Sequence, residues 1–216
     1  MHFVMHYCDY FKDKKITVMG LGVLGRGVNV VKFLAECGAE LVVTDLKSAD
    51  ELASSLEELK QFPNIQYVLG EHRVEDFEGR DLIIKGPKVP MDSDYIAAAE
   101  QEGTPVKMDA SLFCELADGV MTIGITGTRG KSTTTHMIAA ILKEAGKRVH
   151  LGGNVLGTAT LPLLAKAREG DFVVLELDSW QLQGFGEAKI SPQVAVFTTF
   201  YDDHLDYYKG DRDRYF

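Results

Sequence analysis

The chain has 216 residues, of which 45% are hydrophobic and 25% charged, a composition that excludes disordered and fibrous proteins and is typical of one or two globular domains. Its formal net charge of -9 argues against nucleic-acid partners, because proteins that neutralise many phosphates present a basic face. No apolar run approaches the roughly 18 residues of a membrane-spanning helix, so we expect no membrane partner and a cytoplasmic location.

The first half of the chain predicts a small doubly wound α/β domain. Residues 15–20 read as a buried strand, and a glycine-rich turn leads from it into a helix that ends near Cys37 and is capped by Gly38. A strand over 40–45 completes a βαβ unit, since parallel neighbouring strands need this crossover. The other predicted elements are strands at 65–69 and 81–85, helices at 49–61 and 93–102, and a short strand and helix within 103–119.

The second half restarts the α/β pattern after a domain boundary near 118–120. The predicted strands lie at 121–126, 147–151, 171–177 and 193–199, and the predicted helices at 131–145 and 158–168. The charged stretch that ends at Phe216 is typical of the beginning of a helix, so we expect the second domain to be incomplete.

The cysteines predict no disulfide framework. Cys8, Cys37 and Cys114 are widely spaced and odd in number, which fits free thiols in a reducing cytosol better than a disulfide or a metal site.

The segment MTIGITGTRGKSTTT predicts a phosphate-binding loop, because a hydrophobic strand leads into a glycine-bounded turn that opens a helix with Gly-Lys-Ser. Lys131 can reach the β and γ phosphates of ATP, and the Ser132 hydroxyl can bind Mg²⁺. The spacing departs from the general Walker form, since the glycine lies four residues before Lys131, at Gly127, and position 125 is Ile125. The alternative is a strand-to-helix turn with an accidental Gly-Lys-Ser.

The first domain carries a dinucleotide fingerprint, Gly20-x-Gly22-x-x-Gly25, followed about 20 residues later by Asp45. This pattern indicates a helix N-terminus suited to phosphate but does not distinguish NAD, FAD and a UDP-sugar. The alternative is that the glycines only permit close packing of helix and strand.

Acidic residues follow the ends of two predicted strands of the second domain, where ligands gather in open α/β sheets. Carboxylates and an imidazole at this edge suit Mg²⁺ bound with phosphate oxygens. His204 alone also fits a surface salt bridge, and the remaining histidines are interpreted as structural or solvated. The candidates to converge on the phosphates are Glu176, Asp178, Asp202, Asp203, His204 and Asp206.

Four segments together resemble the Mur ligases of peptidoglycan synthesis, and within that family the branch that adds D-glutamate. They are GITGTRGKSTTT, GGNVLG at 152–157, LELDSWQL at 175–182 and DDHLD at 202–206, and they occur in the family's order. The short Gly-Thr-x-Gly-Lys-Ser loop is the family's own variant of the Walker loop. The resemblance implies a Rossmann-like N-terminal domain over 1–118, an incomplete P-loop ATPase-like α/β central domain over 119–216, and a C-terminal domain that is absent.

The resemblance also implies the site residues. Lys131 and His204 would be catalytic, and Ser132, Glu176 and His204 would bind Mg²⁺. The residues implied to bind ATP are Gly127, Thr128, Arg129, Gly130, Lys131, Ser132 and Thr133. The residues implied to bind the substrate are Val23, Leu24, Asp45, Leu46 and Lys47 for its UDP part, with the loop 86–90 as a further candidate, and Asn154 and Ser179 for its muramoyl-alanine end.

The implied reaction joins UDP-N-acetylmuramoyl-L-alanine to D-glutamate with ATP and Mg²⁺, in a monomer. ATP would phosphorylate the terminal carboxylate, and the amine of D-glutamate would attack the acyl phosphate to form an amide. By the same resemblance, the lysine expected to be carbamylated and the domain that binds the incoming amino acid would lie beyond Phe216. We therefore expect this chain alone to be catalytically incompetent, an expectation that formation of the amide product would refute.

Some positions depart from the family pattern and leave the exact substrate open, and other functions are weighed beside the one that the resemblance implies. Arg129 stands where Asn is common, Asp178-Ser179-Trp180 replaces Ser-Ser-Phe, Thr199 begins a segment that usually begins with Asn, and Tyr207 replaces a common Arg. The alternatives are an alanine-adding Mur ligase, folylpolyglutamate synthase, which lacks the Rossmann-like domain, a non-catalytic nucleotide- or UDP-sugar-binding module, and an NAD oxidoreductase, which leaves Lys131 unexplained.

Overall fold

The computed structural model describes residues 7–90, 92–203 and 205–216 and divides the chain into two compact units. The first comprises the chain up to Leu116 together with Leu156–Lys166, and the second comprises Ala117–Val155 and Ala167–Phe216. Each unit contains a parallel sheet with helices, which confirms the predicted α/β class. Within the described ranges, no helix is long and apolar enough to cross a membrane. The boundary at 118/119 between two functional domains stays a prediction.

The first unit is built on a five-stranded sheet. Its strands are Lys15–Met19 (β1), Glu40–Asp45 (β2), Gln66–Leu69 (β3), Leu82–Lys85 (β4) and Val106–Lys107 (β5). Its helices are Tyr7–Phe11 (α1), Arg26–Glu36 (α2), Ala53–Leu59 (α3), Asp94–Gln101 (α4) and Asp109–Leu116 (α5), with a 3-10 helix at Val74–Asp76. The strand order is β3-β2-β1-β4-β5, so the winding reverses between β1 and β4 and opens a crevice at their carboxyl ends.

The strands of this sheet are short apolar runs because they are covered on both faces. β1 and β2 are buried at every position after the first, and β4 is buried throughout. One core cluster joins Met19 and Ile83 to Ile96 and Ala99 of α4 and to Phe77. Burial of these side chains fixes the ends of β1 and β4, and with them the crevice.

Gly27, which lies outside the fingerprint, allows α2 to approach the turn after β1 closely because it has no Cβ. A Cβ on Gly27 would lie 2.8 to 2.9 Å from the backbone carbon atoms of Leu21, so no larger residue fits without moving the turn. Gly25 instead precedes α2 in a left-handed conformation, with open space around it. The packing function considered for the fingerprint therefore belongs to Gly27.

The segment Leu156–Lys166 belongs to the first unit although its sequence neighbours belong to the second. It contains a 3-10 helix at Leu161–Ala165, and the backbone N–H of Thr160 donates to the buried carboxylate of Asp109 over 2.9 Å. The predicted α-helix over 158–168 is wrong, because the segment has Pro162 in its first turn and buries leucines two residues apart.

The prediction of three free thiols is also wrong. Cys8 in α1 and Cys37 at the end of α2 form a disulfide, and Cys114 is the one described cysteine outside a disulfide. The two cysteines are 29 positions apart in the sequence, which gave no sign that they are close. They are brought together because Phe11 and Phe33 pack edge to face with ring centroids 5.6 Å apart.

The second unit has a four-stranded parallel sheet with the order β7-β8-β6-β9. Its strands are Met121–Thr126 (β6), Val149–Gly153 (β7), Phe172–Glu176 (β8) and Val194–Phe197 (β9), and its helices are Lys131–Glu144 (α6), Ser179–Ala188 (α7) and Arg212–Tyr215 (α8). The core between the sheet and α6 contains Ile123, Ile125, Ala139 and Val174. Packing of α6 on the sheet fixes the helix N-terminus at the carboxyl edge of β6.

Candidate functional site

Four strand ends meet at one edge of the second sheet. Ile125 and Gly153 are both register partners of Glu176, and Thr126 is the partner of Phe197. Because the strands are parallel, the loops that follow them all begin at this edge. The edge therefore brings together the segments that hold the predicted ATP and magnesium residues.

The phosphate loop connects β6 to α6 and leaves a row of backbone donors at the helix N-terminus. Among the described residues, the N–H groups of Gly130, Lys131, Ser132 and Thr133 have no hydrogen-bond partner. The positive end of the helix dipole adds to these donors, so this terminus favours an anion. The geometry suits a phosphate group.

The side chain of Lys131 lies over the loop. Its Nζ donates to the carbonyl oxygens of Gly127 and Thr128 over 2.7 and 3.1 Å. The ammonium group is thus held beside the free N–H groups, where its charge can attract phosphate oxygens. Ser132 and Thr133 are exposed at the same terminus.

Glu176 is a buried carboxylate at the end of β8. It is 6% exposed, and its side chain makes no hydrogen bond or ion pair with any described residue. A buried carboxylate without a compensating charge is costly, so this position fits a cation supplied from outside the chain. Carboxylate and hydroxyl oxygens are the ligands that Mg²⁺ prefers, which makes Glu176 and Ser132 compatible with that ion. His204, the third predicted ligand, lies outside the described residues.

The wider convergence of acidic side chains is not found. Asp178 caps α7, because its carboxylate accepts the Gln181 N–H over 2.8 Å in a capping box, and Asp202 is exposed and pairs with Arg212 over 3.0 Å. Asp206 is exposed. No group of three or more acidic, histidine or cysteine side chains in the described ranges could hold a metal ion. The expectation of convergence on the phosphates is therefore corrected for Asp178 and Asp202, whose carboxylates bond to a helix N-terminus and to Arg212.

Asn154 and Ser179 both lie at this edge. The Asn154 N–H donates to the Glu176 carbonyl oxygen over 2.6 Å, which ties the loop after β7 to the end of β8. Ser179 is the first residue of α7, and its Oγ is buried without a hydrogen-bond partner. Such a hydroxyl is available to a polar ligand. Their assignment to the muramoyl-alanine end of a substrate stays a prediction.

In the first unit, Asp45 holds the glycine-rich turn. Its two carboxylate oxygens accept the N–H groups of Gly22 and Lys47 over 2.8 and 2.9 Å. An ionised carboxylate has about four lone-pair sites, so Asp45 keeps the capacity to accept a ligand hydroxyl. The Gly22 N–H, however, is engaged by Asp45, so phosphate recognition here cannot follow the dinucleotide fingerprint in full.

Three large apolar side chains are exposed around this carboxyl edge. Val23 and Leu24, in the turn after β1, are 49% and 70% exposed, and Leu46, just after β2, is 67% exposed. Exposed apolar side chains grouped at strand ends are typical of a binding site. The structure thus places the predicted UDP residues in one neighbourhood, although their role stays a prediction.

A buried lysine supports the neighbouring loop 86–90. Lys85, the last residue of β4, is 2% exposed, and its Nζ donates to the Val89 carbonyl oxygen over 2.8 Å. Sequence reasoning did not single out Lys85. Its signal was a lysine closing the apolar run DLIIK at the switch point of the sheet.

His72 links the end of β2 to the aromatic core and makes stability depend on pH. Its Nδ1 lies 2.7 Å from Thr44 Oγ1, and its ring packs edge to face against Phe77 and Tyr95. Burial lowers the pKa of His72, against the smaller opposing charges of Asp45 and Asp76. As the pH falls below about 6.5 the unfolded chain is protonated first, so the contribution of His72 to stability is present above that pH and is lost below it.

We expect a His72→Gln variant to lose less free energy of unfolding than the original chain between about pH 7.5 and about pH 5.5. Urea unfolding at the two pH values measures the difference. A Gln101→Ala variant, which changes an exposed side chain that does not titrate, should lose as much as the original chain. The same loss in the His72 variant would show that this histidine does not titrate as described.

Two family models match the chain. The Mur ligase MurD-like N-terminal domain matches residues 14–107, and the Mur ligase middle domain matches residues 125–216.

The chain is 42% identical over 193 residues to a UDP-N-acetylmuramoylalanine--D-glutamate ligase from a Roseiflexus species, and the alignment covers 89% of this chain and 41% of the relative. It is 39% identical over 203 residues to the ligase of the same name from Borreliella afzelii, covering 94% of this chain and 43% of the relative. The chain thus spans about two fifths of the length of these relatives.

A solved structure shows the same fold. The UDP-N-acetylmuramate:L-alanyl-gamma-D-glutamyl-meso-diaminopimelate ligase from Neisseria meningitides superposes with a TM-score of 0.57 at 20% identity, covering 91% of this chain and 63% of that one. At this identity the likeness concerns the fold alone.

Proposed function

Because the chain belongs to the Mur ligase family, we propose that it forms the UDP-substrate-binding and ATP-binding parts of a ligase that adds D-glutamate to UDP-N-acetylmuramoyl-L-alanine in peptidoglycan synthesis. Both sheets carry candidate binding residues at their carboxyl edges. The observation that carries the proposal is the set of four free N–H groups at the N-terminus of α6, next to the ammonium group of Lys131.

Different residues at the carboxyl edge of the second sheet would contact different parts of MgATP. The N–H groups of Gly130 to Thr133 bind phosphate oxygens, and Lys131 neutralises the charge that develops on the transferred phosphoryl group. Ser132 and Glu176, together with His204, would hold Mg²⁺, which supplies further positive charge to the phosphates. A carboxylate is a poor acylating agent, so activation to an acyl phosphate must precede attack by the amine of D-glutamate.

The carboxyl edge of the first sheet would hold the nucleotide part of the substrate. Val23, Leu24 and Leu46 offer exposed apolar surface to a uracil ring, and Asp45 with its flanking Lys47 offers an acceptor and a charge to ribose and diphosphate. A cytoplasmic, monomeric protein without nucleic-acid or membrane partners is part of this proposal.

Calorimetric titration of the 216-residue chain tests separately the binding of the UDP substrate and the binding of MgATP. We expect saturable heat with UDP-N-acetylmuramoyl-L-alanine and, independently, with MgATP, since the residues proposed for each ligand are present. UDP alone should retain part of the first signal. Absence of heat with the UDP substrate at high concentration would remove the substrate assignment, and absence of heat with MgATP would remove the assignment of the phosphate loop.

A further inference from the structure

Two threonines that follow β9 are bonded directly to the phosphate loop. We call Thr198 and Thr199 the threonine clamp. The Arg129 N–H donates to Thr199 Oγ1 over 2.9 Å, and the Arg129 carbonyl oxygen accepts from the Thr198 and Thr199 hydroxyls over 2.6 and 3.1 Å. The backbone of Arg129 is therefore held on both sides by neighbouring side chains.

The clamp also holds the residue before Arg129. The Thr128 N–H donates to the Thr199 carbonyl oxygen over 2.7 Å, and Thr128 Oγ1 accepts the Tyr201 N–H over 3.0 Å. Gly127 packs against the same segment so closely that a Cβ there would lie 2.8 Å from the Thr199 nitrogen and oxygen. The first half of the loop is thus bonded to and packed against the segment that follows β9.

These bonds divide the donors of the loop into two groups. The N–H groups of Thr128 and Arg129 are taken by Thr199, whereas those from Gly130 to Thr133 have no partner among the described residues. The Thr199 hydroxyl accepts from the N–H and donates to the C=O of one residue, Arg129, and thereby ties down the peptide units on both sides of it. The Arg129 C=O and the Gly130 N–H lie in the same peptide plane, so the bonds to this carbonyl oxygen set the direction of the first free N–H.

From this geometry we infer that Thr199 is a positioning residue for nucleotide binding: its hydroxyl orients the backbone of Arg129 and thereby aims the N–H groups of Gly130 to Thr133 at the phosphates. The inference rests on the proposed function of the loop. It also joins two positions at which the chain departs from the family pattern, because Arg129 and Thr199 contact each other. A loop that is already oriented binds its ligand without a further ordering cost.

The test is titration of the 216-residue chain with MgATP in three forms, the original, Thr199→Val and Thr199→Ser. Valine removes the hydroxyl but keeps the β-branched shape and the backbone bond to Thr128. Without the hydroxyl the ligand must order the loop when it binds, so MgATP binding should weaken about tenfold. Serine restores the hydroxyl and should bind within about twofold of the original.

Ser191→Ala is the matched control, since it removes an exposed hydroxyl just before β9 that bonds only to the Pro192 carbonyl oxygen. It should leave MgATP affinity unchanged. Amide hydrogen exchange without nucleotide provides a second readout, because the Arg129 N–H should exchange faster in the valine variant and remain protected in the serine variant. If the valine variant does not fold, Thr199→Ala gives the same comparison with a smaller side chain.

The outcomes separate the inference from the proposed function. A valine variant with a lower midpoint of thermal unfolding but unchanged MgATP affinity would make the clamp purely structural and overturn the inference. Tighter binding would overturn it as well, since the released Arg129 N–H would then be a better phosphate ligand than the clamp allows. If the original chain itself gives no signal with MgATP, it is the proposed function of the loop that fails.

Discussion

A Gly153→Ala variant is expected to lose about 2 to 5 kcal/mol of stability and to displace the carboxyl edge of the second sheet. Gly153 has a φ of +76°, a left-handed conformation that costs a residue with a side chain. An added Cβ would also meet the carbonyl group of Glu176, with its backbone carbon and nitrogen 2.8 and 2.9 Å away. Relief of this overlap requires β7 and β8 to separate at the position that holds Glu176.

Gly146→Ala is the control that isolates the conformational contribution. Gly146 has a φ of +74°, nearly the same, but no atom lies within 4 Å of an added Cβ. Urea unfolding should show a loss of about 1 to 2 kcal/mol for the control and a clearly larger one for Gly153→Ala. MgATP affinity should fall only in the Gly153 variant, because Glu176 moves. Equal losses in the two variants would mean that the edge tolerates the added methyl group.

The elements that local patterns define were predicted closely. β2 at Glu40–Asp45 and β6 at Met121–Thr126 agree with the prediction to the residue, because each is an apolar run bounded by a change in composition. α3 spans only Ala53–Leu59 of the predicted 49–61. α7 was missed, although Asp178 and Gln181 have the three-residue spacing of a capping box.

Elements that depend on distant contacts were predicted poorly. The segment around Leu161 is apolar enough for an α-helix, but its burial against α5 and the bond from Thr160 to Asp109 select a 3-10 helix. The disulfide between Cys8 and Cys37 depends in the same way on where α1 packs. No local pattern contains this information.

In the candidate site too, residues with a local sequence pattern were predicted and residues whose roles depend on distant contacts were not. Lys131 and Glu176 were found because a phosphate loop and a strand end have local signatures. The sequence predicted no structural role for Thr199, Lys85 or Gly153, because their roles come from neighbours that the fold brings together. These neighbours are the loop backbone, the Val89 carbonyl oxygen and the Glu176 backbone. Asp178 shows the opposite error, since an acidic residue at a strand end served as a helix cap.

A Lys131→Met variant is expected to weaken MgATP binding about 10- to 100-fold, which corresponds to roughly 1.5 to 3 kcal/mol for a charge-assisted hydrogen bond to phosphate. Methionine keeps an unbranched stem and removes the ammonium group, so the change concerns the charge. Lys143→Met is the control, since Lys143 lies in the last turn of the same helix. Both variants change the net charge from -9 to -10, so a difference between them reflects position alone.

Measuring both MgATP affinity and thermal stability of Lys131→Met distinguishes a ligand-binding role of the ammonium group from a structural one. In the structure Nζ donates two of its three N–H groups to the carbonyl oxygens of Gly127 and Thr128, which leaves one for a phosphate oxygen. The threonine clamp holds the same residues from the other side, so we expect the loop to keep its shape without the lysine and the thermal unfolding midpoint of Lys131→Met to fall by only a few degrees, at most about 4. Weaker MgATP binding with little loss of stability would assign Lys131 to the ligand. A large loss of stability with unchanged affinity would instead make Lys131 a structural support of the loop, and the phosphate site would then rest on the backbone donors alone.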